Sequence, residues 1–216
     1  MENRKNTILL TVIAVATLLV AVVGATFAYF TAQGGQQVQT PVNVQTANTS
    51  NGSFVTNGQI SINATQENFY QGAGNQTSTA TATVTYTASS TAASDFCYTV
   101  SLDVTANNFV YTTDPTNTPE LTFTARKSAN ASDMTSATTL IDAQDITTTA
   151  QSTKIQIPTA VSGDTYVHQI SAGQGETIND QWDFTVTLVN LDSDQNENTG
   201  KAFTGQIVFD QVECGG

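Results

Sequence analysis

Apolar and polar positions alternate with a period of two along most of the chain, in short runs separated by turn residues, which is the mark of half-buried strands. In TATATVTYTA, residues 79–88, Ala80, Ala82, Val84, Tyr86 and Ala88 share one face and threonines fill the other. FCYTVSLDV turns Phe96, Tyr98, Val100, Leu102 and Val104 to one side, ELTFTA does the same with Leu121 and Phe123, and TKIQIP with Ile155 and Ile157. QWDFTVTLVNLD aligns Trp182, Phe184, Val186 and Leu188, and FTGQIVFDQVEC aligns Phe203, Ile207 and Phe209. Asn57–Gly58, between the apolar pieces of SFVTNGQISINA, predicts a two-residue hairpin turn. SANASDMTSATTL, residues 128–140, is the best helical pattern and a faint one. Many short alternating strands at such spacing predict an all-β, two-sheet β-sandwich over residues 51–216.

The N-terminus breaks this pattern. After Arg4 and Lys5, the run from Thr7 to Phe30 contains no charge and is long enough to span a bilayer. Thr26 and Ala28 supply small residues three and one before a cleavage point at Tyr29, which fits a secretory signal peptide over residues 1–28. Two outcomes stay open: a signal peptidase releases the remainder, or the run stays as a membrane anchor. Both put the remainder outside the cytoplasm, and in both the membrane is met only through this segment. Residues 29–50 then read as an extended arm or linker. Val38, Thr40, Val42, Val44 and Thr46 share one parity, and Pro41, which cannot donate to a ladder, suits an edge.

Composition narrows the partners. The formal net charge is −12, with six Lys and Arg against 18 Asp and Glu, and only 11% of residues are charged. Nucleic acid is excluded as a partner, because binding its phosphates needs clustered basic side chains. Threonine is the commonest residue, which favours strands.

Candidate chemistry is sparse. His168, in TYVHQIS, is the one histidine of the chain, so no His-based zinc triad, HExxH helix or Ser-His-Asp arrangement can be assembled. It reads as a strand residue with its ring at a sheet surface, and no enzymatic activity or catalytic residue is expected. The two cysteines, Cys97 and Cys214, lie opposite the apolar parity of their strands. In an exported chain they are expected to pair in one disulfide tying the last strand to a central one; two separate thiols or an intermolecular bridge are the alternatives. In NLDSDQNENTGK, residues 190–201, Asp192, Asp194 and Asn196 hold the first, third and fifth places of a calcium loop. Glu197 and Phe203 replace the glycine and the closing glutamate of that motif, so a long polar hairpin loop competes with a low-affinity calcium site, and no other cofactor is expected.

The stretch GATFAYFTA, residues 24–32, resembles the signal-peptide junction of the TasA/camelysin group of exported bacterial proteins, and WDFTVTLVNLDSDQNENTGKAFTGQIVFDQV is similar to surface proteins carrying that signal. The resemblance covers the two ends of the chain. It implies a jelly-roll-like sandwich, secreted to the cell surface of a bacterium, that self-associates into extracellular fibres of a biofilm matrix. It also implies that an N-terminal strand of one subunit completes the sheet of the next, with Val38, Val42 and Val44 as the donor residues that fill alternate pockets. The alternative is a membrane-anchored surface binding module or adhesin.

Overall fold

The computed structural model describes residues 50–57, 59–113, 115–161 and 163–215, together with the backbone of residues 42–45; of Asn57 only the backbone is described. No α-helix occurs among them. Eleven strands and two single 3₁₀ turns follow in chain order: β1 Val42–Gln45, β2 Asn51–Asn57, β3 Gln59–Asn63, β4 Gln76–Thr87, β5 Ser94–Asn107, β6 Leu121–Ser128, β7 Thr138–Asp145, β8 Lys154–Gln156, β9 His168–Ala172, β10 Thr177–Leu188 and β11 Ala202–Val212. They form two antiparallel sheets that pack face to face. One runs β1-β2-β4-β10-β6-β7 and the other β3-β11-β5-β8, with β9 also on β5. Taken from β3, this is the jelly roll: β3, β11, β5 and β8/β9 make one four-strand layer, and β4, β10, β6 and β7 make the other.

The predicted parities set the core. Every apolar residue named above in the runs from Ala80 to Phe203 is buried, as is Ile207, and Phe209 is partly buried against them. The outward face of β4 presents the threonines, which meet polar partners on β10: Thr83 Oγ1 donates to Gln181 Oε1 at 2.8 Å and Thr85 Oγ1 to Asn179 Oδ1 at 2.7 Å.

Three expectations need correcting. Asn57–Gly58 does not close a hairpin, because β2 pairs with β1 and β4 while β3 pairs with β11 in the opposite sheet. A two-residue turn there would set Phe54 across from Ser61, leaving Ile60 and Ile62 on the other face from Phe54. Crossing the edge of the sandwich instead lets Phe54, Ile60 and Ile62 face one core, and they are 8%, 0% and 0% exposed. Residues 128–140 hold no helix; they are the end of β6, turns and the start of β7. The β7 strand carries its apolar pair, Leu140 and Ile141, in consecutive places and breaks register with β6 on either side of Ala125, so it shows no alternation. The third is His168, which lies in the core.

Candidate functional site

Three places in this fold gather side chains that could act: the ends of the two sheets, the loop after β10, and a polar cluster inside the sandwich.

At one end of the six-stranded sheet, β1 pairs antiparallel with β2 of its own chain, Val42 opposite Phe54 and Val44 opposite Gly52. Part of the expected arm therefore has a partner at home. Gly52 is needed there, since a Cβ would stand 2.5 Å from Phe96 Cε2. Val38 and the cleavage residues Thr26, Ala28 and Tyr29 lie outside the described residues, as does the apolar run; among the described residues no helix is long and apolar enough to cross a membrane. At the opposite end, β7 and β8 close the two sheets, and no further strand pairs with either among the described residues. Between them lies an open groove of about 710 Å³ whose lining mixes Leu140, Ile141, Ile155 and Tyr166 with polar residues that include Asp142 and Lys154. Of the exposed large apolar residues, Val161, Tyr166 and Val167 belong to the segment beside this groove.

The loop after β10 is organised by residues the calcium pattern does not contain. Asp192 Oδ1 accepts the Gly72 backbone N–H at 2.7 Å, and Asp194 Oδ1 accepts that of Asn196 at 3.1 Å. The two carboxylates thus serve separate backbone partners, and no group of three or more His, Cys, Asp or Glu side chains forms a metal-holding set among the described residues. The anchors are Gln195 and Asn198, 1% and 0% exposed, which donate to Glu120 Oε2 at 2.7 and 2.8 Å. Each amide spends its other N–H on a backbone carbonyl, Gln195 on Val189 and Asn198 on Val110. Glu120 is itself fully buried, and its Oε1 accepts the backbone N–H and the hydroxyl of Thr112 at 2.6 and 2.7 Å. One carboxylate so ties together the loops before β6 and after β10.

Cys97 and Cys214 are bonded, with Cα atoms 5.2 Å apart, joining β5 to the residues after β11. Cys97 is on the outward parity of β5, yet only 2% exposed.

The interior cluster escaped the sequence reading. His168, the first residue of β9, is 2% exposed, its ring stacked on Tyr98 at 5.4 Å and edge-on to Trp182 at 5.0 Å. Its Nε2 bonds the Ile157 carbonyl at 3.1 Å. Burial, with the Lys127 ammonium nearby, pulls its pKa down to about 4, against smaller opposing effects of the Ile157 carbonyl and Asp180. Facing it, Tyr98 donates to Asp180 Oδ2 at 2.8 Å, Trp182 Nε1 donates to Tyr98 Oη at 3.2 Å, and Lys127 Nζ lies 2.7 Å from Asp180 Oδ2. The signal for this cluster was available: Lys127 continues the inward parity of Leu121, Phe123 and Ala125, and Asp180 that of Ile178, Trp182 and Phe184. A lysine and an aspartate on core-facing positions of two strands ask for each other.

The histidine sets a pH dependence. Its unfolded ring takes a proton below about 6.5 and its folded ring only near 4, so protonation favours the unfolded chain. Stability is complete above pH 6.5, falls as pH drops toward 4, and should be about 2 kcal/mol lower at pH 5 than at pH 7.5 from this group. Urea melts of the wild type and of His168→Gln across that range check it: the slope between pH 6.5 and 4 should flatten in the variant.

Compared with models of known protein families and with curated proteins, the chain matches none.

Proposed function

We propose that this chain is an exported structural subunit that associates with copies of itself, the N-terminal arm of one copy adding a strand at the β7/β8 end of the next. The observation that carries the reading is the open groove between Leu140, Ile141 and Ile155, with Val161, Tyr166 and Val167 exposed beside it. An open groove of mixed polar and apolar lining, flanked by two strand edges that have no strand partner among the described residues, can take an extended segment through main-chain hydrogen bonds and alternate side chains. The arm has the matching chemistry. Residues 29–50 carry no charged side chain, so they can approach a copy of net charge −12 without repulsion, and Val38 falls in the part that precedes β1. Val42 and Val44 pair with β2 in the single chain. Since β1 and β7 are at opposite edges of the six-stranded sheet, donation to the β7/β8 end runs head to tail.

Electron microscopy of the chain purified from its exported form, with its N-terminus read by mass spectrometry, is the test. A start at Tyr29 and filaments that vanish when residues 29–41 are removed are expected. Loss only on removing residues 29–45 would make β1 itself the exchanged strand. Filaments unchanged by both deletions would rule out strand donation, and an intact Thr7–Phe30 run on the mature protein would favour the anchored surface module.

A further inference from the structure

Lys127 and Asp180 occupy inward positions on neighbouring strands, β6 and β10, where Lys127 stands opposite Trp182 in the register. Their side chains are 13% and 3% exposed, and Nζ lies 5.5 Å from the ring centroids of both Tyr98 and Trp182. The two carboxylate oxygens are held differently. Oδ1 accepts the backbone N–H of Asn130 at 3.1 Å. Oδ2 accepts the Tyr98 hydroxyl, which in turn accepts the Trp182 indole N–H, and Oδ2 is also the oxygen that meets Lys127.

We propose that Lys127 and Asp180 condense to a side-chain amide that joins β6 covalently to β10. An amine and a carboxyl group fixed in contact within a closed interior react as one molecule, which removes most of the entropic barrier of a bimolecular encounter. The surroundings also favour the product. A buried ion pair among aromatic rings bears the desolvation of two charges, whereas the amide is neutral and its water leaves.

The step balances without a co-reactant. The ammonium passes one proton to Asp180 Oδ2, and the freed nitrogen lone pair attacks Cγ. Negative charge then develops on Oδ1, where the Asn130 N–H meets it. The Tyr98 hydroxyl gives its proton to Oδ2 and regains one from the nitrogen, the Cγ–Oδ2 bond breaks, and Oδ2 departs as water carrying two of the three ammonium protons. The nitrogen keeps the third. Burial and the neighbouring Asp180 hold the Tyr98 pKa well above its ordinary value, so this hydroxyl keeps its proton as a donor until the step calls on it. The inference does not depend on the assembly reading.

Mass spectrometry of the folded, full chain, then reduced and denatured, tests it. The wild type should be one water lighter than its sequence, and digestion with trypsin and a glutamate-specific protease should yield a branched peptide joining residues 127–154 to residues 177–197. Lys127→Arg, which keeps a cation for Asp180 and cannot form this amide, should have its full sequence mass and no branched peptide. Wild-type protein at full mass, with both segments recovered as linear peptides, would overturn the proposal and leave an ion pair. The same loss of water in Lys127→Arg would overturn it too, by placing the reaction elsewhere.

Discussion

Replacing both Cys97 and Cys214 with serine should lower the stability of the sandwich by about 4–5 kcal/mol, the chain-entropy value for a closed loop of this size. The bond joins residues 117 positions apart and encloses the chain from near the start of β5 to the end of β11. Without it, the unfolded chain regains the freedom of that whole loop. The folded chain also loses its tie where β11 ends: Val212 is the last β11 residue paired with β5, opposite Cys97 itself. Guanidinium melts of the oxidised protein, the reduced protein and the double-serine variant are the measurement. The last two should share one lowered midpoint, since both lack the same constraint. A midpoint that stays put on reduction would mean that the loop is held closed by other means, and the pairing of β5 with β11 would then carry the stability alone.

Glu120→Ala should cost about 3–5 kcal/mol, more than a surface charge ever does, because of what the carboxylate leaves behind. Gln195 and Asn198 would each keep one satisfied N–H, on Val189 and Val110, and lose the other in a buried place. The Thr112 N–H and hydroxyl lose their acceptor as well. Glu120→Gln is the informative partner variant. Its oxygen can serve one pair of donors, but its NH₂ then points at the other pair, so it should recover only part of the loss. Both variants are read by denaturant melts, and limited proteolysis should find the new cut within residues 190–201. A Glu120→Ala protein as stable as the wild type would show that water takes over all four donors.

These residues mark where the sequence stops being readable. Parity alone placed the apolar faces of β4, β5, β10 and β11, because a threonine-rich strand with one apolar side has a single way to be buried. The same rule failed at Asn57–Gly58, where local turn preference competed with the need to put Phe54 and Ile60 in one core, and the core won. It failed at β7 because a register break turns Leu140 and Ile141 inward in succession. In the loop after β10, the calcium pattern runs through Asp192, Asp194 and Asn196, whereas the residues that anchor the loop to the core are the amides of Gln195 and Asn198. An asparagine in NENTG looks solvated until Glu120, 78 residues earlier, is known to lie beside it. His168 reads as a surface ring for the same reason: its partners, Tyr98, Trp182 and the Ile157 carbonyl, come from elsewhere in the chain. Lys127 and Asp180 are the opposite case, legible from parity and passed over because charge on a core face looks like an exception.

The jelly-roll order of strands also decides when the molecule can fold. β3 finds its partner in β11, and β4 in β10, so the first layers to emerge from a ribosome wait for the last. Residues 59–63 are made long before residues 202–206, and Cys97 long before Cys214. Such pairings close only after large loops, which makes folding late and slow compared with chains built from local contacts. Hairpin-like neighbours such as β6 and β7 can meet early, but neither layer is complete, and the core between them is not sealed, until residues 177–188 and 202–212 have been made.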